Sequence, residues 1–381
     1  MTNRVDFYSG DCKELALPAA RCEVFVGGAA RAFLEVVQIE REGWPKFGQA
    51  LLRYNPAVRQ DCRNGPQPAG IEQAERIAAM GKRVGVCRLV NTGIGGVKIE
   101  PVWLFVGRVE ETRTKLGPKE QVFEIIAKDI SARLDRVTVH GRRIATTGCE
   151  STFGDGLECV FNADGKPNAS TQQVQHNGKS YTAFAGEGQE AKYWSTAEVL
   201  EYLLSEYVVY GQLQVPPAGF IEALTGEKVA DVLDVEGKSV LDALQDCCEQ
   251  VGIQFAFKAR QAELGPAEKI VFYQPGEGPS IELNLQYAGE QLSISRTNVC
   301  ELNSEKQNES ADSGVIETID VQTPIVATHY EVGDRLTTSP DSRDVLGIRR
   351  DNRSIFWIDR VRIDFEKQCT DLRILRRRAN V

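Results

Sequence analysis

Strand-length apolar runs separated by turn residues occupy both ends of this chain, while its two longer helical patterns lie in the middle. That distribution restricts the fold to a mainly β class with α+β insertions. The early runs are Glu23-Val-Phe-Val, Phe33-Leu-Glu-Val-Val-Gln-Ile and Ala50-Leu-Leu-Arg-Tyr, the last ended by Asn55-Pro56. A short helix is predicted around Gly70 to Met80, with Ile71, Ala74, Ile77 and Ala78 on one face and Gly81 as its stop. Strands resume with Arg83-Val-Gly-Val-Cys-Arg-Leu-Val, a glycine turn at Gly93-Ile-Gly-Gly, and Pro101-Val-Trp-Leu-Phe-Val-Gly-Arg-Val-Glu. In Gln121-Val-Phe-Glu-Ile-Ile-Ala-Lys-Asp both alternating faces are largely apolar, as a strand covered on two sides requires. This unit closes near Leu134-Asp-Arg-Val and reads as a barrel or sandwich.

Residues Cys149 to Ala191 are of another character, rich in Gly, Asn, Asp and Gln, and read as turns of an inserted piece. A helix starts at Ser195, where Ser-Thr-Ala-Glu198 forms a capping box, with Val199, Leu200, Leu203, Leu204 and Tyr207 on its apolar stripe. A second helix starts near Ser239 and ends at Gly252, followed by a hairpin of Ile253-Gln-Phe-Ala-Phe with Lys269-Ile-Val-Phe-Tyr. Strands return from Glu282, interrupted by the polar segment Asn303 to Gly314, and end with Ile355-Phe-Trp-Ile-Asp-Arg-Val-Arg and Thr370-Asp-Leu-Arg-Ile-Leu-Arg. The expected domains are therefore residues 1–140, a first tube-like β-barrel; 141–235, a loop-rich insertion with a capped helix at 195–208; 236–280, a small α+β piece with helix 239–251; and 281–381, a second tube-like barrel.

A length of 381 residues is too great for one ordinary core, and 42% apolar with 26% charged residues is the balance of a folded soluble protein. No run of about 18 apolar residues occurs, which excludes a spanning helix. The opening Met1-Thr-Asn-Arg lacks a signal-peptide layout, so folding in the cytosol is expected. The ten cysteines are mostly scattered singly, some within strand-like runs, and behave as small buried hydrophobes in such a chain. Cys247 and Cys248 are adjacent on a predicted helix, pointing about 100° apart, poor geometry for sharing a metal. A formal charge of -9 opposes nucleic-acid binding. The local exception is Arg373, Arg376, Arg377 and Arg378, a solvated strand end or else a docking patch for an acidic partner.

The two β-rich regions echo each other: Trp103 is followed by Arg108-Val-Glu, and Trp357 by Arg360-Val-Arg. Chemistry leaves no comparable mark. His140, His176 and His329 lie in separate regions, and HExxH, GxSxG and the phosphate-loop motif are absent. The turns at Gly93 to Gly96 and Gly186 to Gly188 lack a strand-to-helix setting. Asp155, Glu158 and Asp164 are acidic residues of the insertion, better explained as turn or surface groups. The loop Asn162 to Asn168 lacks the ligand pattern of an EF-hand. No catalytic, cofactor-binding or metal-ligating residue is assigned.

Several phrases resemble the hub proteins of phage and prophage tails: the hub of contractile baseplates, its counterpart in Mu-like phages, and the hub part of type VI secretion spike proteins. They are Leu104-Phe-Val-Gly-Arg-Val-Glu with Phe123-Glu-Ile-Ile-Ala-Lys-Asp and Leu134-Asp-Arg-Val; Ser195 to Leu204 with Tyr207; Gly237 to Gln245 with Val251-Gly-Ile-Gln-Phe; and Tyr330-Glu-Val-Gly-Asp-Arg with Ile358-Asp-Arg-Val and Gln368-Cys-Thr-Asp-Leu-Arg-Ile. The resemblance implies a non-enzymatic structural protein of virion tails, a homotrimer joining tail tube to spike, with no cofactor and no membrane insertion. Two like barrels in each of three chains would give six similar wedges round one axis, matching a sixfold tube to a threefold spike. DNA would pass through the lumen without specific binding. The alternatives are a tail-associated peptidoglycan hydrolase and a β-rich glycan- or receptor-binding module.

Overall fold

The structure is a computed structural model that describes residues 22–43, 48–55, 70–91, 99–117, 121–140, 159–162, 165, 173–176, 179–182, 193–208, 213–217, 219–226, 228–262, 265–282, 293–297, 315–323, 326–337 and 354–378. The chain divides into two compact units. Unit 1 takes the residues up to 129, 257–268 and 276 onward; unit 2 takes 130–256 and 269–275.

The first part of unit 1 contains β1 (Cys22–Val26), β2 (Ala29–Ala30), β3 (Leu34–Glu42), β4 (Gln49–Tyr54), α1 (Ile71–Ile77), β5 (Arg83–Asn91), β6 (Ile99–Leu116) and β7 (Gln121–Lys128). Alternation decides which face each strand buries. Phe123, Ile125 and Ala127 of β7 are fully buried, with Ile39 of β3 and Ala50 and Leu52 of β4 on the same side. Ala74 and Ala78 of the α1 segment complete this core, matching the apolar face expected for the helix. Each buried Ile, Leu or Phe contributes roughly 1.5–3 kcal/mol, which fixes the register of the sheet.

Unit 2 holds α2 (Ser131–Leu134), β8 (Val160–Phe161), β9 (Gln173–His176), β10 (Lys179–Thr182), α3 (Thr196–Tyr207), β11 (Leu213–Gln214), α4 (Phe220–Thr225), β12 (Leu233–Asp234) and α5 (Val240–Val251). The expected caps are present. Ser195 accepts from the Glu198 backbone N–H while the Glu198 carboxylate accepts from the Ser195 N–H, a closed capping box. Ser239 caps α5, and Gly252 ends it in the left-handed conformation. The apolar stripe Val199, Leu200, Leu203 and Leu204 is buried where α3 packs on α5. Asn162, at φ +49°, is a buried clamp: its Oδ1 accepts from Trp194 N at 2.8 Å, and its Nδ2 donates to Trp194 O and Ala230 O at 2.9 and 2.7 Å.

Next comes a hairpin, β13 (Gln254–Ala262) and β14 (Gly265–Tyr273). Its tip belongs to unit 1, where Trp103 Nε1 donates to Gln261 Oε1 at 2.6 Å and Lys258 lies 2.5 Å from Glu331. The remainder of unit 1 is β15 (Ser280–Glu282), β16 (Ser293–Thr297), β17 (Val315–Thr323), β18 (Arg335–Thr337), β19 (Ser354–Asp364) and β20 (Cys369–Arg378). A second apolar cluster, including Ile319, Ile358, Val361, Ile363, Leu372 and Ile374, lies beneath these strands.

The mainly β class read from the sequence is the one observed. Among the described residues the strands do not close into barrels; those of unit 1 form a 13-stranded sheet in the order β16-β17-β20-β19-β3-β4-β7-β6-β5-β1-β2, with β15 and β18 branching from β19. Within it one connectivity occurs twice. The first half pairs β1-β5-β6-β7-β4-β3, and the second pairs β15-β18-β19-β20-β17-β16, element for element in chain order. In each half a glycine of positive φ, Gly81 (φ 76) or Gly333 (φ 87), donates its N–H to a carbonyl of the long strand. The acceptors are Val109 O and Ile358 O, each at 2.8 Å, and each is followed by a β-bulge. The bond is returned in each half, Val109 N to Lys82 O and Ile358 N to Asp334 O, each at 2.9 Å. The repeats differ at one margin, since β1 runs antiparallel to β5 whereas β15 runs parallel to β18. The halves are joined by β3 and β19, paired antiparallel from Glu42–Arg360 to Gln38–Asp364.

The echo in the sequence corresponds to a repeat of strand connectivity, but its residues align differently from the tryptophan match. Pairing matches Val109 with Ile358, so Trp103 and Trp357 are not equivalent. Trp357 is only 1% exposed, whereas Trp103 is half-buried beside Phe25.

Candidate interface: one sheet face and two open strand edges

Directly opposed residues on neighbouring strands share a face, so register alone assembles a polar row across eight strands. It runs Gln322 (β17), Asp371 (β20), Arg362 (β19), Glu40 (β3), Gln49 (β4), Lys128 (β7), Arg108 (β6) and Arg83 (β5). At 4.7–4.9 Å per strand the row spans about 33 Å. Gln322 Nε2 donates to Asp371 Oδ1 at 2.7 Å, Arg362 to Gln38 Oε1 at 2.8 Å, and Gln49 Nε2 to Glu40 Oε2 at 3.0 Å. A parallel row on β17, β20, β19 and β3 joins Asp320, Arg373, Arg360 and Glu42 through ion pairs of 3.4–3.6 Å. On the first half the corresponding pattern is Arg53, Glu124 and Arg113, with Arg53 Nη2 2.9 Å from Glu124 Oε1. That hydrogen bond raises the Arg53 pKa and keeps the guanidinium charged. The face carries both signs, and the acid excess of the chain is not gathered on it.

Strand alternation also divides the arginine cluster that the sequence singled out. Arg373 lies beside Asp320, on the polar face. Arg376 is on the other face, 5.5 Å above the Phe356 ring and donating to Ser354 Oγ at 3.1 Å. Arg377 returns to the side of Arg373, so the cluster does not form one docking patch.

Two stretches of strand edge face no neighbouring strand among the described residues. One belongs to β16, which pairs only with β17. The other is the segment Glu111 to Thr114 of β6, which pairs with β7 on one side, while on the other side β5 begins at Arg83, opposite Arg108. All four side chains of this segment are exposed, and Thr114 Oγ1 donates to Glu75 of α1.

The histidines remain separate. His140 Nδ1 lies 2.9 Å from Glu236 Oε1, Glu236 Oε2 accepts from Cys159 N at 2.8 Å, and Tyr207 donates its hydroxyl to His140 O at 3.0 Å. Burial pushes the Cys159 thiol well above its ordinary pKa and the Tyr207 hydroxyl up to about 12, so neither is a ready nucleophile. His329 stacks on Tyr330 at 4.1 Å, and His176 lies in β9. Cys247 and Cys248 are both buried, with burial raising the Cys247 thiol. Among the described residues no group of three or more His, Cys, Asp or Glu is placed to hold a metal ion. Asp155, Glu158, Asp164 and the turns at 93–96 and 186–188 lie outside the described residues, as does most of the loop 162–168. The one buried side chain of that loop that is described, Asn162, is committed to the clamp above. No described helix is long and apolar enough to cross a membrane.

No protein-family model and no curated protein matches the chain. Solved structures do resemble it. The tail protein of Neisseria meningitidis MC58 is 11% identical with a TM-score of 0.49, over 93% of this chain and 96% of that one. The 43 kDa tail protein of prophage MuSo2 from Shewanella oneidensis is 10% identical with a TM-score of 0.48, over 93% and 97%. A chain of the phage P2 baseplate in its activated conformation is 8% identical with a TM-score of 0.37, over 93% and 98%. These neighbours are phage tail and baseplate proteins.

Proposed function

We propose that this chain is a structural subunit of a phage-tail or tail-like baseplate, a non-catalytic hub of which three copies form a ring between tail tube and spike. The observation that carries this reading is the repeated strand connectivity, joined inside one chain through β3 and β19. A repeat that already pairs laterally with its own copy is a wedge, and two wedges per chain make three chains into a pseudo-sixfold ring. The phrases that resemble tail hubs fall on β6, β7, β19 and β20 of this sheet, and also on α3 and α5 of unit 2. The sheet's polar face, continuous over eight strands and of mixed sign, suits the wall of a water-filled lumen. Passing DNA would meet a surface whose charges are in part already hydrogen-bonded or ion-paired. On this reading the chain ends up in the assembled tail.

Light scattering coupled to size exclusion tests the ring. The expected mass is three times the 42.1 kDa of the chain, for the protein alone or once its tube or spike partner is added. A particle of single-chain mass under both conditions would count against it.

A further inference from the structure

We infer that neighbouring copies are stitched together by the joint that already unites the two repeats within a chain. In this joint β16 of one copy lies antiparallel along β6 of the next, Ile294 to Thr297 opposite Leu116 to Arg113. This rests on the ring reading and names the surface that makes the ring.

The argument follows from equivalent positions. Pairing equates β16 with β3, because Arg296 faces Ile319 as Ile39 faces Ala50, and those two face Ile374 and Ala127 in turn. It equates β6 with β19, because Ala127 faces Val109 as Ile374 faces Ile358. Inside the chain β3 adds to β19 just past the bulge, where Ile39 faces Ile363, five residues beyond Ile358. Five residues beyond Val109 is Thr114, in the stretch of β6 edge that no described strand covers. The partner equivalent to β3, the β16 strand, likewise has no neighbour on its outer side among the described residues. One chain therefore carries a filled joint and the two complementary halves of an empty one.

The empty halves occupy different repeats, so they meet only between copies. Repeating the same operation head to tail makes the contact heterologous, and such a contact closes into a ring when its rotation divides the full turn, as one-sixth of a turn per repeat does. Adding a strand supplies partners for a row of backbone N–H and C=O groups, the usual basis of β-augmentation. The geometry fixes a register: Arg296 of one copy faces Thr114 of the next, as Ile39 faces Ile363.

Cysteine pairing reads that register. Directly opposed antiparallel residues have Cα atoms about 4.5–5.5 Å apart, within the 4.4–6.8 Å that a disulfide spans. The full-length chain is compared as wild type, Thr114→Cys, Arg296→Cys and the double variant, under mild oxidation with denaturing electrophoresis. Circular dichroism verifies that each variant is folded. The double variant is expected to give at least ten-fold more cross-linked dimer and trimer than either single variant, and Glu111→Cys with Arg296→Cys, out of register, far less. A wild type of three-chain mass whose double variant cross-links no better than the singles overturns this joint and leaves the ring intact. A wild type of single-chain mass in every condition overturns both.

Discussion

A methyl group added at Gly107 would lie 2.2 Å from the Lys128 carbonyl oxygen, closer than any real contact allows, and the obstacle is backbone that cannot swing aside. Gly107→Ala is expected to lower stability by about 2 kcal/mol, the usual scale for overpacking. A reduced urea midpoint at unchanged slope would register it, and an unaltered midpoint would contradict the packing described. A methyl group added at Gly278 would likewise meet the Gly333 carbonyl oxygen at 2.1 Å, across segments far apart in the chain. Neither position announces itself in the sequence, because the constraint comes from the partner strand. Asn162 shows the same limit: its loop reads only as turn residues without a ligand pattern, while the folded chain uses its amide to tie Trp194 to Ala230.

Elements whose signals are local were legible. The capping box at Ser195, the N-cap at Ser239, the glycine after α5 and the apolar stripes of both helices all depend on residues within one or two turns. Ser195→Ala should therefore cost about 1 kcal/mol by removing a partner of the Glu198 N–H. In a double-mutant cycle with Glu198→Ala, measured by denaturation, the two effects should fall short of adding, because each mutation already opens the box. Additive losses would mean the reciprocal bonds contribute independently. Bulges were not legible. They insert a residue opposite a gap in the partner, so the sequence echo aligned Arg108 with Arg360 when pairing aligns Val109 with Ile358. The two tryptophans of the sequence echo sit in different surroundings, and the glycines that mark the repeat read otherwise in the sequence, Gly81 as a helix stop and Gly333 within a hub-like phrase.

At the scale of the molecule, composition along the chain suggested four consecutive pieces, whereas the compact unit 1 gathers its strands from both ends of the sequence. Nothing local in either end shows that β3 will lie beside β19 across more than three hundred residues, a contact set by register and burial alone. If copies share this sheet, folding and association are linked, and the thermal midpoint should rise with protein concentration. Scanning calorimetry between roughly 1 and 100 μM would detect it, and a constant midpoint would argue for copies that fold without one another. The unfilled strand margins have a consequence for the chain while it is still alone. Bare backbone of this kind invites indiscriminate sticking, and natural proteins commonly guard it with positive charge. Arg113 on one margin, ion-paired with Glu111, and Arg296 in the sequence of the other supply such charge, which would help a newly made copy stay dispersed until the right neighbour arrives.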